Sequence, residues 1–187
     1  MSPEIGAAQR PIENETVCGD AFAVFRDRET TIAVADGLGH GAGAAEAALA
    51  FCAYVGTHAS AGLEQILRGA TTCLSPTRGA AAALIRISDQ RRHLSFAGIG
   101  NIEVQAMSKL PIRPVCTPGI VGRPLRKVLS FDYELNRGDL LAIHSDGISS
   151  RFTLAPYSHL DVQSMAEAIL ADHGKQHDDA TCVVVRL

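Results

Sequence analysis

Short apolar runs separated by polar turns predict two strands near the beginning of the chain. The apolar runs cover 20–24 and 31–35, and the tetrapeptide 26–29 between them is charged. This pattern is typical of two strands joined by a turn. The second run continues directly into Asp36-Gly37.

The pattern becomes helical after residue 40. An alanine-rich stretch at 41–59, with Leu and Phe interspersed, predicts a long helix of small residues that packs closely against another element. Residues 56–62 are expected to contain its end. A second helix is predicted over 63–74, and the turn-forming residues at 75–79 are expected to stop it.

Three apolar runs then follow one another closely. They cover 81–88, 93–98 and 102–107, and turn-prone residues occupy 89–92 and 100–101. Strands separated by such short turns predict an antiparallel meander.

The last part of the chain mixes strands with a helix, after a connection at 111–124 that is punctuated by Pro and Gly. The predicted segments are a strand at 127–135, a turn at 136–139, a buried strand at 140–144, a helix at 162–173 and a closing strand at 180–187. Because strands outnumber helices and the helices come in blocks, the pattern favours an α+β layered sandwich over a doubly wound sheet. We find no repeat and no long linker, which predicts a single domain over 1–187.

Composition and charge narrow the function classes. The chain has 187 residues, of which 47% are hydrophobic and 20% charged, and its formal net charge is -3. This composition is ordinary for a globular protein and gives no basic excess for nucleic-acid or membrane binding. No apolar run approaches the roughly 20 residues that span a bilayer, and the start of the chain lacks the layout of a signal peptide. We therefore expect a cytoplasmic protein.

The cysteines give no sign of a metal cluster or a disulfide framework. Their number is odd and their spacing is wide, so we expect them to be reduced and mostly to fill the core. They are Cys18, Cys52, Cys73, Cys116 and Cys182.

Acidic residues lie beside three of the predicted strands. Asp36 and Asp146 each follow an apolar run, and the pair Asp178-Asp179 precedes the last one. Strand ends can bring distant carboxylates together, where they repel one another unless a cation lies between them. Carboxylate oxygens suit Mg²⁺ or Mn²⁺, so the pattern indicates a metal centre, with Asp20 as a further candidate carboxylate. The alternative is that each Asp-Gly dipeptide is simply a turn.

Ordered motifs extend this interpretation, because together they resemble the metal-dependent Ser/Thr protein phosphatases of the PPM family, in particular its compact SpoIIE-like branch. The motifs are GDAF at 19–22, VADGLGHG at 34–41, FAGIGN at 96–101, LLAIHSDGIS at 140–149 and HDDAT at 177–181. The resemblance covers essentially the whole chain. It implies a four-layer α-β-β-α sandwich of two antiparallel sheets flanked by helices. It also implies two Mn²⁺ or Mg²⁺ ions at one end, to which a third ion can be added.

The resemblance implies roles for single residues of the metal centre. Asp36 would bridge the two metals, and Gly37 would offer its carbonyl oxygen to the second. Asp146 and Asp178 would bind the first metal. Asp20 would lie near the site and reach a metal through water.

Four further residues are less clearly placed by the resemblance. Asp179 either lies behind the ligands or binds an additional ion. His40 is either an acid or a substrate contact, or it is a helix-terminal residue with a structural hydrogen bond. Asn101 is expected to be a turn residue that orders the sheet near the site. The phosphate-gripping arginine of larger family members has no counterpart in a matching motif, since the arginine nearest the first strand is Arg10, so phosphate binding would depend on metals and backbone.

The activity that the resemblance implies is hydrolysis of phosphoserine or phosphothreonine on a protein. The nucleophile would be a hydroxide that bridges the metals, and Asp36, Asp146 and His40 would be the catalytic residues. The implied partner is a phosphorylated STAS-domain protein of a bacterial stressosome, or an anti-sigma-factor antagonist. Alternatives are an inactive recognition module of the same fold, a phosphatase of small metabolites and a hydrolase of aspartyl phosphate. The retained aspartates argue against the first, and the lack of an obvious cationic clamp argues against the second.

Overall fold

The computed structural model describes residues 2–88, 90 and 92–187. Two residues of the turn predicted at 89–92, Asp89 and Arg91, lie outside the described residues. The strands of the described part are β1 (Glu4–Arg10), β2 (Asp20–Arg26), β3 (Thr30–Gly37), β4 (Ala80–Ser88), β5 (His93–Ile99), β6 (Glu103–Met107), β7 (Ser130–Glu134), β8 (Leu140–His144) and β9 (Ala180–Arg186). The α-helices are α1 (Ala42–His58), α2 (Leu63–Cys73) and α3 (Val162–His173). Among the described helices, none is both long and apolar enough to cross a bilayer.

The strands form two antiparallel sheets that pack face to face. The larger sheet has the strand order β2-β3-β4-β5-β7, and the smaller sheet has the order β1-β9-β8-β6. Helices α1 and α2 bury the outer face of the larger sheet, α3 buries that of the smaller sheet, and a third apolar cluster lies between the sheets. This is the predicted α-β-β-α sandwich, and the fold class is confirmed.

Side-chain size along β3 explains how the layers fit. Ala33 and Ala35 belong to the cluster under the helices, whereas Ile32 and Val34 point between the sheets. Because alternate residues of a strand face opposite sides, the helix side of β3 is smooth and the sheet side is bulky. The alanine-rich α1 can therefore lie close to β3, as its composition predicts.

Strand β1 was not predicted. It pairs antiparallel with β9 in a register that runs from Glu4 opposite Arg186 to Arg10 opposite Ala180. Its sequence, EIGAAQR, contains one large apolar residue, Ile5, and no clear alternation. The strand forms because β9 supplies a hydrogen-bonding edge, which a local pattern does not reveal.

The predicted meander is wrong at its third strand. Strand β5 pairs with β4 and β7, while β6 crosses to the smaller sheet and pairs with β8. Gly100, at φ 97°, turns the chain between the layers. Ile99 before this turn packs under the helices, and Ile102 after it packs between the sheets.

Candidate metal centre

Both sheets deliver aspartates to the same end of the sandwich. In the larger sheet, Asp20 at the start of β2 stands directly opposite Asp36 near the end of β3. In the smaller sheet, Asp146 follows β8 by two residues and Asp178-Asp179 immediately precede β9. Since β8 and β9 are antiparallel neighbours, the end of one lies beside the start of the other. The structure therefore brings together the aspartates singled out in the sequence.

A buried serine connects the two halves of this cluster. The Ser145 hydroxyl donates a hydrogen bond of 2.6 Å to Asp20 Oδ2 and accepts one of 3.0 Å from the Thr181 backbone N–H. Ser145 and Thr181 belong to the smaller sheet's strand ends and Asp20 to the larger sheet. Ser145 was not singled out in the sequence, although it adjoins Asp146.

The clustered carboxylates disfavour one another's charge. Burial, followed by the charges of Asp20, Asp146 and Asp178, raises the pKa of Asp36 to about 8. Burial raises the pKa of Asp20 to about 7, against the opposing effect of the hydrogen bond from Ser145. Burial and then Asp146 raise the pKa of Asp178 as well. A group of carboxylates in this state gains stability from a nearby cation.

Two carboxylate oxygens of the cluster are buried without a hydrogen-bond partner among the described residues. They are Asp20 Oδ1 and Asp179 Oδ2. The other oxygen of Asp179 accepts a bond of 2.9 Å from the Ile12 backbone N–H. Buried polar atoms are ordinarily paired, because desolvation without compensation costs free energy. Hard, anionic oxygens with spare lone pairs fit a divalent cation such as Mg²⁺ or Mn²⁺.

The side chains are close together but do not already form a coordination shell. In the part of the chain that the structure describes, no three His, Cys, Asp or Glu side chains are grouped so that they could hold an ion as they stand. The strand register sets Asp20 opposite Asp36, and the pairing of β8 with β9 brings Asp146 toward Asp178.

Asp146 is held by two residues from other parts of the chain. Asn101 Nδ2 donates a hydrogen bond of 2.7 Å to Asp146 Oδ2, and Lys175 Nζ donates one of 2.5 Å to the Asp146 carbonyl oxygen. Asn101 thus lies near the site, as predicted, and also contacts a predicted ligand. Lys175 was missed, since no sequence pattern connects it with Asp146.

The glycines of the two Asp-Gly dipeptides are required by close packing. Neither Gly37 nor Gly147 has a positive φ. A Cβ on Gly37 would collide with the backbone of Ala44 in α1, and one on Gly147 would collide with the backbone of Asp179. The turn alternative is wrong for Asp36-Gly37, which lies within β3. Asp146-Gly147 does form a turn, closed by a hydrogen bond of 3.1 Å from the Ile148 N–H to the Ser145 carbonyl oxygen.

His40 lies at the rim of the cluster and not within it. Its ring is 62% exposed, and Nδ1 is 2.9 Å from Glu15 Oε1. The loop that carries it includes Gly39 and Gly41, with φ of 88° and 69°. Arg10 is the arginine nearest the first predicted strand. Its guanidinium group donates hydrogen bonds to the carbonyl oxygens of Pro11 and Lys175.

The two sheets, the flanking helices and the aspartates at one end are the features of a PP2C-type protein phosphatase. The PP2C phosphatase domain of SpoIIE from Bacillus subtilis has the same fold, with a TM-score of 0.76 at 22% identity over 98% of this chain and 63% of that chain. Residues 26–187 match the family described as Stage II sporulation protein E, SpoIIE. The chain belongs to this family, as the motifs indicated.

Individual relatives agree with this assignment. Phosphoserine phosphatase RsbX of Bacillus subtilis is 29% identical over 140 residues, which are 73% of this chain and 70% of the relative. A structure of RsbX in complex with magnesium has a TM-score of 0.88 at 25% identity over 99% of this chain and 95% of that chain. A chain from a structural study of the bacterial stressosome has a TM-score of 0.95 at 35% identity, with complete coverage of both chains. The predicted enzyme class, a protein serine/threonine phosphatase, is confirmed.

Proposed function

We propose that this phosphatase depends on divalent cations and acts on phosphoserine or phosphothreonine of a signalling protein, a STAS-domain component of a stressosome or an anti-sigma-factor antagonist. The observation that carries the metal dependence is the cluster of desolvated aspartates with unpartnered oxygens on Asp20 and Asp179. The partner is inferred from the relatives, one of which is a phosphoserine phosphatase and another of which comes from a stressosome study.

The ligands in this proposal come from both sheets. Asp36 and the Gly37 carbonyl oxygen would serve from the larger sheet, and Asp146 and Asp178 would serve from the smaller one. We assign two Mn²⁺ or Mg²⁺ ions to these groups. Bound cations of this kind lower the pKa of water and offset the charge of the attacked phosphoryl group.

Other residues of the cluster would hold the ligands in place. Asp20 accepts a hydrogen bond from the Ser145 hydroxyl. Asp179 Oδ2 faces Gly19, and a Cβ on Gly19 would lie 2.5 Å from this oxygen. We infer that Asp20 acts through water and that Asp179 Oδ2 completes the site for a further ion. Asn101 restrains the Asp146 carboxylate and so limits the rotations it can make.

His40 is the residue we assign to proton transfer at the leaving group. An alkoxide of serine or threonine needs a proton when it departs. The contact between His40 Nδ1 and Glu15 Oε1 orients the ring, which leaves Nε2 as the ring nitrogen that can face a substrate. The exposed position of the ring is compatible with contact to a protein-bound phosphate.

The test is release of inorganic phosphate from a phosphoserine protein with Mn²⁺ or Mg²⁺ present. Wild type should turn over and chelator should abolish the activity, while Asp36→Asn and Asp146→Asn should be inactive. Asp27→Asn, in the exposed turn at the opposite end of the sandwich, is the matched control and should behave as wild type. Calorimetric titration with Mn²⁺ gives a second readout, because the two site variants should lose cation binding.

Two results would reject the proposal. Full activity of wild type in chelator would exclude the metal dependence. Inactivity of wild type across several phosphoproteins, together with undiminished binding to one of them, would favour the recognition module without catalysis.

A further inference from the structure

We infer that Arg78 and Arg123 form a docking surface for acidic side chains that flank the phosphorylated residue of a protein substrate. The inference rests on the proposed function, because it specifies how the same site selects its substrate. We call these two residues the arginine pair.

Arg78 is placed beside the metal centre by strand pairing. The register of β3 and β4 sets Asp36 opposite Ala81, and the pairing continues past Gly37 with a bond of 3.0 Å from the Leu38 N–H to the Gly79 carbonyl oxygen. The next residue along, Arg78, therefore stands beside the loop that carries His40. Arg78 Nη1 donates a hydrogen bond of 3.2 Å to the His40 carbonyl oxygen.

Two glycines leave room for the Arg78 guanidinium group. A Cβ on Gly43, in the first turn of α1, would lie 2.8 Å from Arg78 Cζ. A Cβ on Gly39 would lie 3.0 Å from Arg78 Nη1. The flat guanidinium thus lies against the backbone of the loop and of the helix start, where a larger residue would displace it.

Arg123 is fixed next to Arg78 by carbonyl oxygens. Its Nη1 donates to Gly122 at 2.8 Å, and its Nη2 lies 3.3 Å from the Thr77 oxygen and 3.4 Å from the Arg78 oxygen. The Arg123 guanidinium group therefore lies against the backbone of Thr77 and Arg78 and adds a second positive charge to this segment. The carbonyl contacts orient the guanidinium groups without neutralising them.

The charge of the arginine pair is not balanced by nearby acids. Among the described residues, no carboxylate oxygen lies within 4 Å of either guanidinium group. Glu15, which approaches the same loop, is paired with His40. Each guanidinium group has five N–H donors in a fork that matches carboxylates, and several remain available. The chain as a whole carries a net charge of -3, so the positive charge of the arginine pair is opposite in sign to the protein's overall charge.

The spacing indicates a flanking side chain as the occupant and not the phosphate itself. The backbone of Arg78 stands three register positions beyond Asp36, which corresponds to about 10 Å along the strand direction, and its guanidinium group contacts Gly39 and His40, three and four residues past Asp36. An extended peptide advances about 3.3–3.6 Å per residue. A phosphoserine at the aspartates would therefore place residues two or three positions away over the arginine pair. Acidic residues at those positions would complement it.

The experiment compares two phosphoserine peptides that differ only in charge, one with Glu and one with Lys at the second and third positions on both sides. Their binding is measured by fluorescence anisotropy in chelator, and kcat/KM is measured with Mn²⁺. The proteins are wild type, the charge-reversed Arg78→Glu/Arg123→Glu variant, and Arg137→Glu as a control. Arg137 is an exposed arginine in the turn before β8, at the opposite end of the sandwich.

Wild type and the Arg137→Glu control should bind the Glu peptide about three- to tenfold more tightly than the Lys peptide, as expected for a few exposed charge contacts. The preference should weaken as salt is added. In the charge-reversed variant the preference should invert, so that the Lys peptide binds more tightly. Misfolding cannot produce this result. Equal binding of both peptides by wild type, or an unchanged preference in the variant, would overturn the inference.

The two proposals fail separately. If binding shows the charge preference but wild type with Mn²⁺ releases no phosphate from either peptide, the docking surface stands and the proposed metal-dependent activity does not. If phosphate is released equally from both peptides, the activity stands and the docking surface does not.

Discussion

The two ends of the sandwich both contain buried aspartates, yet the aspartates differ in what surrounds them. At the end opposite the metal centre, Asp139 is 4% exposed, and its Oδ2 accepts a bond of 2.7 Å from the Asn136 backbone N–H. At the metal end, Asp20 and Asp179 are each 3% exposed, and each keeps one oxygen without a partner. Burial is the same at both ends, while hydrogen bonding is not.

The comparison separates a carboxylate whose buried oxygens are hydrogen-bonded from carboxylates whose buried oxygens are not. Asp139 closes the turn before β8, and no buried oxygen of it lacks a partner among the described residues. The aspartates at the other end repel one another and retain free lone pairs, which destabilises the fold unless a cation is supplied. The end with the aspartate cluster therefore carries the larger electrostatic repulsion, which a bound cation would relieve.

The largest expected effect comes from neutralising one aspartate at each end. Asp36→Asn should lower kcat/KM by about 10³-fold or more, on the scale of losing a member of a catalytic unit. It should also raise the stability of the cation-free protein near pH 8, because a desolvated charge is removed. Asp139→Asn should keep the activity and lose about 1 kcal/mol of stability, since its hydrogen bond to the turn is weakened.

Urea unfolding in chelator and phosphate release with Mn²⁺ provide the two measurements. Opposite signs of the stability change at the two ends are the required result. If Asp36→Asn destabilises the cation-free protein as much as Asp139→Asn does, the distinction between the ends is wrong.

The next effect concerns Asn101, which donates to Asp146 Oδ2 at the metal end. Asn101→Ala should weaken Mn²⁺ binding about 10–100-fold, as is usual for residues that orient a metal ligand. Calorimetric titration measures the change directly. Unchanged Mn²⁺ affinity in Asn101→Ala would assign this residue to the turn alone.

The pH dependence of stability should also distinguish cation-free from cation-bound protein. The folded-state pKa of Asp36 is about 8 and that of Asp20 about 7, whereas an unfolded aspartate titrates near about 3.9. Between these values the folded state holds protons that the unfolded state has released, so stability falls as the pH rises from about 4 to about 8. Mn²⁺ should remove this fall, because it stabilises the ionised carboxylates.

Thermal unfolding in chelator at about pH 5.5 and about pH 8 should therefore show a Tm lower by several degrees at the higher pH. Asp36→Asn should show a smaller decrease and serves as the control. A Tm that rises with pH in chelator would contradict the assignment of neutral carboxyl groups at this end.

The smallest expected effect compares a glycine from each end. Gly43→Ala should displace the Arg78 guanidinium and reduce the preference for the acidic peptide by about two- to threefold, because only one exposed charge contact is disturbed. Gly138→Ala, at φ 87° in the opposite turn, should cost about 1 kcal/mol of stability and leave the preference unchanged. Anisotropy and urea unfolding check both variants, and an effect of Gly138→Ala on the preference would indicate an indirect cause for both.

Much of this arrangement could be predicted from the sequence, because its signals are local. Helix α3 occupies the predicted residues 162–173, and strand β8 has the predicted bounds 140–144. The aspartates adjoin strand ends, and antiparallel pairing of those strands necessarily gathers them. The resemblance carried by the ordered motifs then predicted that two sheets pack against each other, which local patterns do not determine.

The remaining features depend on contacts between distant segments. Strand β1 is stabilised by its pairing with β9. Strand β6 pairs in the smaller sheet because the residues beside it are buried between the sheets and not under the helices. Glu15, Lys175 and Arg78 reach the site from separate loops. None of these loops carries a periodic pattern or a motif, so only the tertiary structure shows their proximity.

The Ser145 hydrogen bond to Asp20 has a consequence for the order of folding. It joins residues 125 positions apart and connects the two sheets. Contacts of such separation form late, because closing a long loop costs entropy before the contact repays it. A cation that binds the aspartates of both sheets would find them only after the sheets have docked. It would slow unfolding more than it speeds folding, so the unfolding rate with and without Mn²⁺ reports when the sandwich comes together.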